Sequence, residues 1–262
     1  MTQNNSALMR LQVSELGVQL GGQLAVRECT FEAEGGAFIC IAGLNGAGKS
    51  TLLRALAGLI PYSGSIRYDA RELRAISLAT RSRMISYLPQ DRTATWPLPV
   101  QDIVALGRMP FGSSLQRLTD IDRQHIQHAM RACGIEHLAA KPIDAISGGE
   151  RARALLARML AVNAPAIFAD EPTAALDPAQ QLNVWRALKV AASGGCLVVA
   201  VTHDAALAMR FATRLLLMEG GRLAGSGTPA EILQSGQLDR LFGVRFAPAQ
   251  FADLDDTAGE LY

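Results

Sequence analysis

Gly43-Leu44-Asn45-Gly46-Ala47-Gly48-Lys49-Ser50 fits the G-x-x-x-x-G-K-[ST] spacing of a phosphate-binding loop, with Thr51 directly behind it. The glycines let backbone N–H groups face an anion without a Cβ in the way, and a helix start at the end of the loop adds partial positive charge. Such a loop suits the oxygens of a nucleoside triphosphate. Lys49 would reach the β- and γ-phosphates, and the Ser50 hydroxyl would ligate Mg²⁺. A second chemical pair is Asp170-Glu171, two acids closing a mostly apolar run at 166–169. At the carboxyl end of a parallel strand such a pair lies where these sheets bind their ligands. Asp170 then holds hydrated Mg²⁺, and Glu171 is left to orient and deprotonate an attacking water.

Between these two lies Ser147-Gly148-Gly149-Glu150, followed by an Ala/Leu/Arg-rich stretch to residue 160. Ser147 suits an N-cap, and Gly148 and Gly149 leave backbone donors uncovered, so this is a second helix start that attracts phosphate. One domain hydrolysing one nucleotide has no use for two γ-phosphate cradles. The economical arrangement is a pair of copies, head to tail, each completing the other's site.

These groups must be carried by definite elements. The apolar run 37–42 reads as a buried strand before the loop, and 51–59 as a helix packed on a sheet. Short antiparallel strands are expected up to about residue 33, a small strand at 65–68 and another ending at Gln90. From 91 to 165 the pattern turns helical, clearest at 120–133 and 150–160, with Pro97, Pro99 and Pro110 as punctuation. Strand–helix alternation resumes through 166–169, 178–192, 196–201 and 205–211. The result is an α/β core interrupted by a helical insert.

With the residues laid out, Ile146-Ser147-Gly148-Gly149-Glu150 between this loop and this acid pair resembles the signature of ATP-binding-cassette ATPases. Gln90, in Tyr87-Leu88-Pro89-Gln90, is similar to the family's glutamine that senses Mg²⁺ and the permease. Ala175-Leu176-Asp177 resembles the loop that communicates across the dimer, and His203 the histidine that contacts the γ-phosphate. The resemblance spans about 11–227. It implies a P-loop NTPase (RecA-like) core at 1–90 and 166–227 with an antiparallel β subdomain, a helical subdomain inserted at 91–165, and a C-terminal tail at 228–262. It also implies ATP and Mg²⁺ as ligands, with Gly43, Asn45, Gly46, Ala47, Gly48, Lys49, Ser50, Thr51 and Ser147 to Glu150 on the nucleotide. Ser50, Asp170 and Gln90 would stand at the metal, and Glu171, His203, Gln90 and Lys49 would support catalysis.

The chain departs from the family in places. Ile146 replaces a leucine, and Glu150 the commoner glutamine, a change that recurs in importers for large metal chelates. No Phe, Tyr or Trp lies between Leu11 and Thr30, where many cassettes stack an aromatic on adenine; Leu20 falls near that position. The preference for ATP over GTP is therefore inferred from the family. Trp96-Pro97-Leu98-Pro99-Val100 and Val104 to Phe111 resemble the same stretch in importers for ferric siderophores, haem and cobalamin, with Phe111 in place of a histidine. The expected partners are a second copy, transmembrane permease subunits and, in the full system, a substrate-binding protein. An exporter cassette is the main alternative. Cassettes acting on ribosomes or DNA normally need more than 262 residues, and a small-molecule kinase has no use for the second cradle.

Composition narrows the remaining classes. A hydrophobic content of 49% supports a sizeable core, while a net charge of +1 and pI near 7.7 offer no broadly basic surface for nucleic acid. The arginines between 71 and 83 read as solvated helix faces. Cys29, Cys40, Cys133 and Cys196 form no CxxC pair and read as reduced, buried thiols. His125 and His128 receive no role. The polar residues 1–10 lack the apolar core of a signal peptide and no run is long enough to span a bilayer, so a cytoplasmic protein, peripheral to the membrane through its permease, is expected. A short helix is expected at 229–234 and an acidic end at 253–260.

Overall fold

The computed structural model describes residues 8–91, 97–174 and 176–246. Its centre is a six-stranded sheet in the order β10-β9-β3-β8-β7-β6. The strands are β3 (Phe38–Gly43), β6 (Ile85–Leu88), β7 (Ala166–Asp170), β8 (Leu197–Val201), β9 (Arg214–Glu219) and β10 (Arg222–Gly227). All neighbouring pairs are parallel except β9–β10. β3, β7 and β8 are buried on both faces, as their unbroken apolar sequences require. Alternation then divides their side chains: Ile39, Ile41 and Phe168 face one core, and Phe38, Cys40 and Ile167 the other.

The first core is covered by α1 (Lys49–Leu56) and by a four-stranded antiparallel sheet, ordered β2-β1-β4-β5, of β1 (Arg10–Leu20), β2 (Gln23–Glu34), β4 (Ser63–Tyr68) and β5 (Arg71–Glu72). The hairpin strands are 11 and 12 residues long, longer than the short strands expected. Irregularities in register within β1 keep its inward residues facing the core as the strand bends. α2 (Leu78–Met84) leads into β6.

The opposite core is covered by α3 (Val100–Ala105), α4 (Asp120–Ala132), α5 (Gly148–Ala161), α6 (Pro178–Ser193) and α7 (Ala205–Phe211). Trp185 of α6 is fully buried and stacks on Phe38 of β3 with ring centroids 5.4 Å apart. α3 to α5 form the helical insert between β6 and β7. α8 (Pro229–Gln234) and α9 (Gln237–Phe242) close the described chain; α8 matches the expected helix, and α9 adds another.

Several boundaries differ from the sequence reading. The strand expected to end at Gln90 stops at Leu88, because Pro89 has no N–H for the ladder. α1 ends at Leu56 rather than 59. Arg81 is not a solvated surface residue. Its guanidinium donates to the carbonyls of Gly58, Leu73 and Ile76 at 2.9, 3.2 and 3.2 Å, tying α2 to the end of α1. Cys29, Cys40 and Cys133 are buried free thiols and Cys196 is half-buried. No helix of the described residues is long and apolar enough to cross a membrane. Trp96, Ala175 and the acidic stretch 253–260 fall outside the described residues.

Candidate active site

Four adjacent parallel strands, β3, β8, β7 and β6, end at the same edge of the sheet, and each releases one chemical segment there. From β3 comes the glycine loop, from β8 Thr202 and His203, from β7 Asp170 and Glu171, and two residues beyond β6 comes Gln90. This convergence follows from parallel topology, which collects the carboxyl ends of sequence-distant strands on one rim.

Gly48 caps α1 with a left-handed φ of 94°, and a Cβ there would lie 2.3 Å from the Ala25 carbonyl oxygen. Only glycine fits. No side chain caps the helix, so the N–H groups of its first turn face an open loop, a ready anion site. Asn45 and Gly46 are exposed, whereas Ala47, Lys49 and Thr51 are buried. Lys49 curls back, its Nζ donating to the carbonyls of Gly43 at 2.8 Å and Leu44 at 2.9 Å. Burial lowers the ammonium pKa, while the charges of Glu171 and Asp170 oppose that shift.

The Ser50 hydroxyl donates to Asp170 Oδ1 at 2.8 Å, joining the start of α1 to the end of β7. Burial raises the Asp170 carboxyl above its ordinary value; the Ser50 hydrogen bond, Arg54, Tyr87 and Lys49 pull the other way. A hydroxyl and a carboxylate in contact are hard oxygen donors. They fit Mg²⁺, which takes few protein ligands and completes its shell with water and phosphate oxygens. Tyr87, whose phenol pKa is pushed up to about 12 by burial and the nearby Asp170 charge, borders this carboxylate and received no role from the sequence. Strand register was the available signal, since Leu88 pairs with Ala169, one residue before Asp170.

Glu171 follows with φ of 48°, a left-handed conformation rare for a residue with a Cβ. Its N–H donates to the Val201 carbonyl at 3.0 Å, fixing the turn. The kink sends two consecutive carboxylates to different partners, Asp170 to Ser50 and Glu171 to His203. Glu171 Oε2 lies 2.9 Å from His203 Nδ1. A carboxylate can only accept, so Nδ1 carries the proton and donates, leaving Nε2 turned outward. The Glu171 side chain is 11% exposed and that of His203 69%. Such strain, held by neighbouring structure, is the kind found at functional sites.

Ser147 to Glu150 lie elsewhere, at the start of α5. Ser147 Oγ accepts from the Glu150 N–H at 3.2 Å, and the Ser147 N–H donates to Glu150 Oε2 at 2.8 Å, a complete capping box. Ser147 and Gly148 are exposed and Gly149 is half-buried, and the Gly148 and Gly149 N–H groups have no intrahelical acceptor. Glu150 thus braces the cap from within, while the backbone amides face solvent. Asp177 caps α6 and Leu176 is buried. Gln90 is exposed at the rim.

Glycine loop, acid pair and parallel sheet together define a P-loop nucleoside triphosphatase. The ABC transporter family model matches residues 26–174. The chain is 36% identical to the hemin import ATP-binding protein HmuV of Rhodococcus jostii, over 91% of this chain and 81% of that protein. It is also 36% identical to the cobalamin import ATP-binding protein BtuD of Halobacterium salinarum, over 91% of this chain and 60% of that one. Among solved structures it resembles the ATP-binding cassette MJ0796, described as dimeric, post-hydrolysis and bound to ADP and Pi. That likeness has a TM-score of 0.74 and 24% identity, covering 84% of this chain and 98% of the other. The chain belongs to the ABC transporter family, and it is the ATP-hydrolysing subunit.

Proposed function

We propose that this protein powers uptake of an iron complex, either a ferric siderophore or haem, or of cobalamin, through separate permease subunits fed by a substrate-binding protein. In this reading, one cassette of RecA-like core, helical subdomain and tail works as a head-to-tail pair. The relatives named for hemin and cobalamin import support the cargo class. One observation supports the pairing: Ser147 and Gly148 are exposed and the Gly148 and Gly149 amides have no acceptor in their own helix, while Lys49, Ser50, Asp170 and Glu171 cluster at the sheet rim.

ATP enters with its phosphates over the first turn of α1, where Lys49 exchanges its loop carbonyls for β- and γ-phosphate oxygens. Ser50 and Asp170, with Gln90 at the rim, would hold Mg²⁺, which would supply charge neutralisation at the phosphate oxygens. The Ser147–Gly149 amides of the second copy then cover the γ-phosphate and complete the cavity. Glu171 orients a water and accepts its proton as the water oxygen bonds to phosphorus and the bond to ADP breaks. His203, oriented through Nδ1 by Glu171, presents Nε2 towards the γ-phosphate. Product loss lets the pair part, and the motion passes through Gln90 to the permease.

Ser147→Arg tests the pairing. Dilute protein should keep its affinity for a fluorescent ATP analogue while turnover falls to background, because the bulky cation blocks the face that meets the partner. Full-rate hydrolysis by a monomer would refute it. Uptake of radiolabelled haem, ferric siderophore and cobalamin by cells with and without this chain and its permease tests the cargo; efflux instead of uptake would make it an exporter.

A further inference from the structure

Arg108 is almost completely buried and does nothing in the chemistry above. Its Nε donates to Asp122 Oδ1 at 2.9 Å, and its Nη1 to the Ala161 and Val162 carbonyls at 2.9 and 3.0 Å. Those carbonyls end α5, the helix whose other end presents Ser147, Gly148 and Gly149. The guanidinium therefore satisfies acceptors that a helix terminus leaves open and sets a cation at the negative end of the helix dipole. The approach is made possible by Gly107, where a Cβ would lie 2.3 Å from the Arg158 carbonyl oxygen. Phe111 lies over the guanidinium face at 4.0 Å.

Asp122 is equally built in. Its second oxygen accepts from Ser113 Oγ at 2.7 Å, Thr119 Oγ1 at 2.7 Å and the Thr119 N–H at 3.0 Å, which makes it part of the capping box that starts α4. Arg108 thus locks the start of α4 to the end of α5. At the opposite ends of the same two helices Arg153, from the second turn of α5, donates to the Cys133 and Gly134 carbonyls that finish α4 at 3.4 and 3.3 Å. The antiparallel pair is clamped at both ends, with the Arg108 contacts the shorter and more buried.

We propose that Arg108, anchored by Asp122, is a positioning residue that fixes the direction of α5 and so sets where the Ser147–Gly149 amides meet the partner copy's nucleotide; this rests on the paired-copy reading above. The lever explains why a contact at the far end matters. Fourteen residues of helix span about 21 Å, so a tilt of roughly 10° about the Arg108 end displaces the amides by about 4 Å. A hydrogen bond to phosphate tolerates only a few tenths of an ångström beyond roughly 3.2 Å. Without the clamp α5 still forms, since its own capping box and buried face remain, but its amides sample directions that miss the phosphate. The defect appears in the affinity of the copies for one another, not in nucleotide binding by one copy.

Three variants of the full chain separate these effects: Arg108→Lys, Arg108→Met, and Arg108→Met with Asp122→Leu. The double variant replaces a buried ion pair by apolar groups, a change often neutral for stability, yet it removes the bonds to the α5 carbonyls. Turnover at saturating MgATP is measured against protein concentration, with fluorescent-nucleotide affinity of dilute protein and thermal melting alongside. The double variant should melt near the wild type, bind nucleotide within about twofold, and need at least tenfold more protein for half-maximal turnover, regaining most of its rate at high concentration. Arg108→Lys, which keeps the charge but not the planar fork, should fall between and decides the matter if the double variant does not fold. A concentration dependence like that of the wild type in every folded variant overturns the proposal, as does an equal loss of nucleotide affinity. If wild-type turnover is itself independent of concentration down to the monomer, the pairing is what fails.

Discussion

Glu171→Gln is the sharpest probe of the chemistry, because it separates the proton-accepting role proposed for this side chain from its packing role. Glutamine matches glutamate in volume. Its Oε1 can accept the His203 Nδ1–H as the carboxylate does across 2.9 Å, and the backbone bond from the Glu171 N–H to Val201 is untouched. At His203 the change therefore loses only the charge assistance of a half-exposed hydrogen bond, about 1 kcal/mol or less. The nucleotide contacts proposed for Lys49, Ser50 and Asp170 remain. What disappears is the proton acceptor, and losing a general base slows a reaction by roughly 10²–10⁴, equivalent to about 2.7–5.5 kcal/mol of barrier. Single-turnover phosphate release would show a slowed step, while titration with a fluorescent ATP analogue would give an affinity within about twofold of wild type. Release within about threefold of wild type would remove Glu171 from the role of base. A matching loss of affinity would make the residue a binding group instead.

Other consequences can be measured separately. Ser50→Ala removes the hydroxyl that donates to Asp170 Oδ1 at 2.8 Å; bonds to charged groups contribute about 1.5–3 kcal/mol, so the Mg²⁺ concentration for half-maximal ATPase should rise at least roughly tenfold in a protein that melts normally. Gly48→Ala forces a Cβ against the Ala25 carbonyl in a left-handed conformation, costing more than about 1–2 kcal/mol, and should lower both the melting temperature and nucleotide affinity. Burial alone would raise the Asp122 carboxyl, but hydrogen bonds from Arg108, Ser113 and Thr119 outweigh it and hold the group well below the usual carboxylate range. Its contribution to stability is thus complete above about pH 4 and drains as pH falls towards the depressed folded value, so Arg108→Met with Asp122→Leu should flatten the acid limb of a denaturant-stability profile.

What could be read from the chain was what each residue announces locally. The glycine loop is contiguous, so spacing alone places Lys49 and Ser50, and the apolar runs before Ser50, Glu171 and His203 each mark a strand whose end carries the chemistry. That the ends meet follows from parallel strand order, which the residues imply only as a class. Arg81, Arg108 and Arg153 were illegible for a different reason. Their partners are largely carbonyl oxygens, and every residue carries one, so no side-chain pattern signals the contact. The Arg108–Asp122 pair joins residues across the end of a 3₁₀ stretch and an irregular loop, where no period predicts alignment. His203 shows a subtler limit. Its resemblance to a γ-phosphate contact says nothing of its Nδ1, and the structure pairs that atom with Glu171, coupling the two residues before any ligand arrives.

The two helix starts give the proposed pairing its physical logic. The N-terminus of α1 sits among a lysine, a magnesium-type oxygen pair and a carboxylate, all supplied by strands of one rim. That of α5 has a polar cap, exposed amides and, behind it, a helix locked to α4 rather than to the sheet rim. In the proposed pair, two positive helix ends brought together from different copies repel unless an anion lies between them. Nucleotide with its γ-phosphate is such an anion, and ADP, one phosphate shorter, reaches only the first. Under the proposed pairing, closure is thereby tied to the bond that hydrolysis breaks: the group that draws the second helix in is the group that leaves.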